Sequence, residues 1–307
     1  METQMIRNRN GQINIVLHDK KEVRLENTGQ VHYIENRPFM HIDQEFSSFV
    51  AMKELKRTIK EIYATIVINE KREQLGLTCS KQVLHMLFKG NPGTGKTTVA
   101  RKLAKIYFDM NLLSKGHFIE AERADLVGEY IGQTAQKTRN LIQKAMGGIL
   151  FIDEAYSLAR GGEKDFGKEA IDTLVKHMED KHNDFVLILA GYPFEMERFL
   201  SLNPGLQSRF PFILDFQDYE VDQLMEIAKQ MASEREYKLT KEAEIELRAH
   251  LTRKTHEIKR NFSNARYVRN VIENAIRMHA VRLLRKNEFS TEDLIQLTGK
   301  DLHIDTI

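Results

Sequence analysis

The sequence predicts a parallel α/β sheet with helices on both faces, followed by a small all-α domain. Three observations lead there. Apolar runs of strand length at residues 83–88, 148–152 and 185–190 alternate with segments whose apolar residues recur at helical spacing. The runs are too short for helices and carry no polar alternation, which fits strands buried on both faces. After Asp218 the strand signals stop and only helix-patterned segments follow. The expected organisation is an N-terminal segment (1–38) of unclear structure, an α/β domain (39–217) and a helical domain (218–307).

In chain order, residues 1–38 are polar, with weak alternation at 12–15 and 23–25 and a turn signal at 27–29, so a small hairpin and a loose arm are both open. Residues 46–73 place Phe49, Met52, Leu55, Ile59, Ile62 and Ile66 at helical spacing, expected as one long helix or two. The first strand, at 83–88, leads through a glycine-rich loop into a helix running to about Asn111. A short strand is expected at 117–120 and a helix at 135–146, stopped by Gly147 and Gly148. The buried strand to Ile152, a helix over 166–180 and the strand at 185–190 come next, with a weaker strand at 212–216. Helices are then predicted over 221–236, 241–254 and 265–285, with a fourth over 290–297.

Composition is that of an ordinary folded protein: 307 residues, 41% hydrophobic and 29% charged. A net charge of only +2 gives no global pull toward nucleic acid or membrane. Cys79 is the single cysteine and cannot form an internal disulfide, which suits a reducing compartment. No apolar run approaches the ~20 residues of a membrane span, and the first residues lack the apolar core of a signal peptide. A cytoplasmic location is expected.

The chemistry is concentrated at Gly90, Asn91, Pro92, Gly93, Thr94, Gly95, Lys96 and Thr97. The glycines let backbone N–H groups turn inward around an anion, and the helix that follows aims its positive dipole end at the same place. In a phosphate-binding loop of this pattern Lys96 reaches the β- and γ-phosphates and the Thr97 hydroxyl sits on Mg²⁺. By chance the pattern arises in about one chain in a hundred of this length; the strand before it and helix after it reduce that further. The second signal is Asp153 and Glu154 at the end of a buried strand, at the sheet edge where open α/β sheets bind ligands. Asp153 is suited to the Mg²⁺ shell and Glu154 to polarising a water. Histidines show no metal-ligand spacing.

These two signals and the helical appendix resemble an AAA+ ATPase with its lid. The stretches 128–132, 134–138, 153–158, 189–192 and 203–210 are similar to the CbbX-like branch of that family. That branch holds the CbbX-type Rubisco activases and a sporulation protein of spore-forming bacteria, and the likeness is closer to the latter. The resemblance implies ATP and Mg²⁺ as cofactors, Gly90 to Thr98 as the nucleotide loop, and Phe49 and Val50 beside the adenine. It also implies Arg209 as an arginine finger acting on a neighbouring subunit, and Arg266 as second sensor, with Arg269 as runner-up. At the first-sensor position, where many members have Asn, this sequence has Ala190, Gly191 and Tyr192. Tyr130, Ile131 and Gly132 match the aromatic–hydrophobic–glycine loop that such rings project into a central pore, and 160–167 resembles a second pore loop. Packing of Tyr130 in the core is the competing interpretation.

The function expected from the resemblance is ATP hydrolysis coupled to remodelling of a protein partner by a homo-oligomeric ring, implied to be a hexamer, with a role in spore formation. A Rubisco activase, a nucleic-acid-directed motor and a nucleotide-gated scaffold are the alternatives. No aromatic-interleaved basic groove speaks for nucleic acid.

Overall fold

The computed structural model describes residues 3–7, 13–17, 37–47, 49–50, 52–79, 82–130, 132–161, 165–257, 262–286 and 288–302. Met1–Ser48 forms one compact unit and Phe49–Ile307 another. In the first, β1 (Thr3–Arg7) pairs antiparallel with β2 (Ile13–Leu17), and α1 spans Arg37–Glu45. Of the two forms open for this segment, the hairpin is the one seen. Its second strand overlaps the 12–15 alternation, whereas the 23–25 and 27–29 signals lie outside the described residues.

The second unit corrects the helix expected over 46–73. Only α2 (Lys53–Gln74) is helical there, burying Leu55, Ile59 and Ile62. Ahead of it, the apolar residues that mimicked helical spacing serve different surfaces. The Phe49 ring faces Lys102 Nζ at 5.6 Å, Val50 packs on the C-terminal helical core, and Met52 approaches Gly95.

The sheet is built from β3 (Met86–Gly90), β4 (Phe118–Ala121), β5 (Ile149–Ile152), β6 (Val186–Gly191) and β7 (Phe212–Phe216), all parallel, in the order β4-β5-β6-β3-β7. Helices α3 (Lys96–Asp109), α4 (Arg123–Leu126), α5 (Gln133–Ala145), α6 (Gly167–Asp180), α7 (Pro193–Ser201) and α8 (Pro204–Gln207) connect the strands. Leu87, Leu150, Ile152, Leu187 and Leu189 pack with Leu126, Ile142 and Leu174 in one core. From β3 the chain crosses to the far edge, returns through β5 to β6, then passes over β3 to β7. The C-terminal ends of β3 and β6 therefore flank a topological switch point, where open α/β sheets bind ligands.

The lid contains α9 (Val221–Ser233), β8 (Lys238–Leu239), α10 (Lys241–Glu257), α11 (Asn264–Leu284), α12 (Thr291–Ile295) and β9 (Gln296–Leu297). It is helical, but β8 and β9 form a two-residue parallel pair. The fourth helix expected over 290–297 therefore stops at Ile295, and strand does occur after Asp218. β8 lies just before α10 and β9 directly after α12, and both are too short to show a period of two. Arg282 forks onto the buried Asp301 at 2.7 and 2.9 Å and pins the C-terminal turn to α11. Among the described residues no helix is long and apolar enough to cross a membrane.

Candidate active site

Between β3 and α3 the chain turns through Gly93 (φ +71°) and Gly95 (φ +96°), left-handed conformations that residues with a Cβ rarely adopt. Space is equally restrictive. A Cβ on Gly90 would stand 2.5 Å from the Phe216 carbonyl oxygen, and one on Gly93 2.1 Å from that of Ser263. Thr94 is buried and donates its hydroxyl to the Asn91 carbonyl at 2.9 Å. Lys96 Nζ donates to the carbonyls of Gly90 (2.7 Å) and Asn91 (2.8 Å). Burial pushes the Lys96 ammonium down to about 8, while Asp153 pulls the other way.

Asp153 and Glu154 follow β5. Glu154 holds a left-handed backbone (φ +46°), and its N–H donates to Asp153 Oδ1 at 2.9 Å. A cavity of about 270 Å³ brings together Pro92, Gly93, Gly95, Lys96, Thr97 and Thr98 with Asp153, Glu154, Tyr192, Arg266 and Arg269. An adjoining cavity of about 690 Å³ shares Asp153, Glu154 and Arg266 and adds Glu122, Arg123 and Arg160. A loop that only glycine backbone can form, one buried ammonium and two separate carboxylates suit a polyphosphate with a divalent ion. Among the described residues no three His, Cys, Asp or Glu side chains converge on a metal position. Thr97 and Asp153 would thus hold Mg²⁺ with the remaining oxygens supplied by phosphate and water.

Tyr192, directly after β6, has its ring 6.0 Å from Lys96 Nζ. Burial, then Glu154, raises the pKa of its hydroxyl. It packs on Tyr156 at 5.7 Å, a contact that requires Gly191, because a Cβ there would meet the Tyr156 ring at 2.7 Å. Arg160 lies over the Tyr156 ring at 5.3 Å and 3.9 Å from Glu154 Oε2. Of the 160–167 segment, residues 162–164 lie outside the described residues.

Two predicted groups lie apart from the cavity. Val50 lines a neighbouring groove of about 700 Å³ with Met52, Thr94, Asp218 and Tyr219, and Phe49 lines neither. Arg209, in the turn after α8, also lines neither cavity and pairs instead with Glu179 at the end of α6, Nε to Oε1 at 3.0 Å.

Tyr130 is 68% exposed, which removes the core interpretation. Ile131 lies outside the described residues; Gly132 is left-handed (φ +83°) with open space around it. The loop is secured at its base by α5. Thr134 accepts the Gly128 N–H at 2.9 Å, Lys137 Nζ donates to the carbonyls of Ala124 and Val127 at 3.0 and 3.1 Å, and Thr138 donates to that of Leu126. Arg123, on α4, donates to the Ser157 carbonyl at 2.8 Å and to Asp165 at 2.6 Å. It joins the base of the Tyr130 loop to the turn that follows Glu154.

Sequence reasoning missed Arg123, Lys137, Tyr156, Asp218 and Asn264. Lys137 reaches back to Ala124 and Val127, and the others act through partners more distant in the chain, as in the 127-residue separation of Asn91 from Asp218; neither spacing nor residue type signals such a pair.

Comparison with known proteins agrees with this geometry. Residues 86–218 match the family described as "ATPase family associated with various cellular activities (AAA)", and residues 220–306 match the AAA lid domain. Stage V sporulation protein K of Bacillus subtilis (strain 168) is 61% identical over 304 residues, 96% of this chain and 94% of its own. Protein CfxQ of Xanthobacter flavus is 47% identical over 76% of this chain and 74% of its own. The chloroplastic ribulose bisphosphate carboxylase/oxygenase activase of Cyanidioschyzon merolae (strain NIES-3377 / 10D) is 41% identical over 85% of this chain and 89% of its own. With the ATPase domain matched over 86–218, the lid domain over 220–306 and a relative 61% identical along 96% of the chain, the chain belongs to the AAA family of ATPases and is an ATP hydrolase.

Proposed function

We propose that this ATPase works as a homo-oligomeric ring, a hexamer, that spends ATP hydrolysis on remodelling a protein partner gripped by Tyr130, in the cytoplasm and in the course of spore formation. The observation that carries the reading is an exposed aromatic on a loop whose tip is open and whose base is tied to α5 and, through Arg123, to the turn after Glu154. A tyrosine with glycines on both sides grips a chain by van der Waals contact without reading its sequence. The sporulation role rests on the 61% identity to stage V sporulation protein K.

At the nucleotide, Lys96 and the loop N–H groups bind the phosphates, and the neighbouring groove lined by Val50, with Phe49 next to it in the chain, takes the adenine. When bound through Thr97 and Asp153, Mg²⁺ supplies positive charge that offsets the phosphate oxygens. Glu154 takes the proton from the attacking water, Tyr192 helps orient that water, and Arg266 reaches the phosphates from the lid. The distance of Arg209 from its own cavity supports action on the neighbour's nucleotide, which makes each site complete only at a subunit contact.

The test uses Glu154→Gln, which should hold ATP and trap the partner. Proteins retained by this variant should be lost when Tyr130→Ala is added; retention in full without Tyr130 would contradict the reading. For the finger, Arg209→Ala and Lys96→Ala are each expected to be nearly inactive. Mixed rings should regain turnover where an intact loop meets an intact finger; no recovery in verified mixed rings would rule out action in trans.

A further inference from the structure

We propose that Asn264 is a positioning residue for ATP hydrolysis: it locks the first turn of α11 onto the phosphate loop and so sets where Arg266 stands. The inference rests on the reading of Arg266 as a phosphate-reaching residue. Asn264 is fully buried and holds a left-handed backbone (φ +46°), a conformation tolerated by Asn better than by most residues with a side chain. Its amide nitrogen donates to Asp218 Oδ1 (2.7 Å), the Phe262 carbonyl (2.8 Å) and the Pro92 carbonyl (3.3 Å). Its amide oxygen accepts the Tyr219 N–H at 2.9 Å. One side chain thus joins the phosphate loop, the link between the domains and the lid.

The other groups at this junction act in the same sense. Asn91, in the loop, donates to both oxygens of Asp218 at 3.0 and 2.9 Å. The Tyr219 hydroxyl donates to the Thr94 carbonyl at 3.1 Å, and the Ala265 N–H donates to the Gly93 carbonyl at 3.2 Å. Other lid helices are capped from within: Glu220 with Gln223 at α9, and Ser290 with Asp293 at α12. The residue before α11, Ser263, makes no side-chain cap bond. The first turn of α11 takes its anchorage from the nucleotide loop instead. Arg266 is in that turn and lines the cavity with Asp153 and Glu154. A shift of the phosphate loop is therefore carried to Arg266 through Asn264.

The test compares Asn264→Gly, which keeps the left-handed backbone and deletes the amide, with Arg266→Ala and the double variant. Asn264→Gly is expected to lower kcat for ATP roughly tenfold or more while KM changes less than about threefold. The double variant should turn over no more slowly than Arg266→Ala alone, because both substitutions remove one contribution. A parental kcat in Asn264→Gly overturns the proposal, and if Arg266→Ala is impaired in the same assay the Arg266 reading stands. A parental kcat in Arg266→Ala overturns that reading and the route through it. Additive losses in the double variant mean that Asn264 only stabilises the lid, which also overturns the proposal. ATP binding guards against misfolding: the Kd for ATP of Asn264→Gly should stay within about threefold of the parent. A loss of ATP affinity as large as the loss of kcat counts against the clasp.

Discussion

The phosphate loop and the Tyr130 loop each contain a left-handed glycine, yet they are built in opposite ways. Beside Gly93 the space a side chain would need is filled: a Cβ would meet the Ser263 oxygen at 2.1 Å and the Arg266 nitrogen at 2.8 Å. Around Gly132 a Cβ would meet nothing within 4 Å. The first loop must hold N–H groups at fixed points around an anion, so its conformation is set by contacts on all sides. In the second only the base is tied down, by Thr134, Lys137 and Thr138, which suits the proposed grip on a partner chain. Closed packing marks the nucleotide loop, and open packing above a secured base marks the loop proposed to grip.

The largest expected effect lies at the boundary between binding and hydrolysis. Glu154→Gln should retain ATP binding and lose about 10²–10⁴ in kcat, read by single-turnover phosphate release, because the amide cannot accept a proton. Turnover at the parental rate would exclude Glu154 as base. Next come the two glycines. Gly93→Ala should weaken ATP affinity by roughly a hundredfold or more, since both the backbone conformation and the clash with Ser263 oppose it. Gly132→Ala should cost only about 1 kcal/mol in stability, the left-handed penalty alone, with ATP affinity unchanged. Similar losses of affinity in both would erase the contrast between the loops.

A pH series sharpens the comparison further. Lys96 has its pKa lowered to about 8, and bound phosphates favour its charged form. Binding therefore takes up a proton above that pH, and the Kd for ATP should rise by up to about tenfold per pH unit as pH increases beyond 8. Lys96→Arg should flatten that dependence. The smallest effect belongs to Lys137→Ala. It frees the carbonyls of Ala124 and Val127 at the base of the Tyr130 loop. Stability should fall by no more than about 1 kcal/mol, with ATP turnover within about twofold and partner remodelling slowed.

What was legible in the sequence divides along the same line. The glycine loop and the acids after β5 show themselves in consecutive residues, because a strand end and a helix start are local events. The 46–52 stretch misled, since Phe49 and Met52 have helical spacing but pack on separate surfaces, Phe49 against Lys102 and Met52 toward Gly95. The β8–β9 pair is too short for a period to appear. Asp218 and Asn264 look like ordinary polar residues beside a helix start, and only their meeting with Asn91 and Pro92 gives them a role. Exposure of Tyr130 was likewise beyond sequence reasoning, which offered burial and projection as alternatives.

Separation of gripping from chemistry is tested most directly by Tyr130→Ala, with its thermal melt recorded beside its ATP turnover. A side chain 68% exposed has little buried surface to lose. The melting temperature should stay within a degree or two of the parent and kcat within about twofold, while partner remodelling is lost. A fall in melting temperature of many degrees, as expected from truncating a core aromatic at about 3–5 kcal/mol, would contradict it, as would loss of ATP turnover in a protein that melts normally.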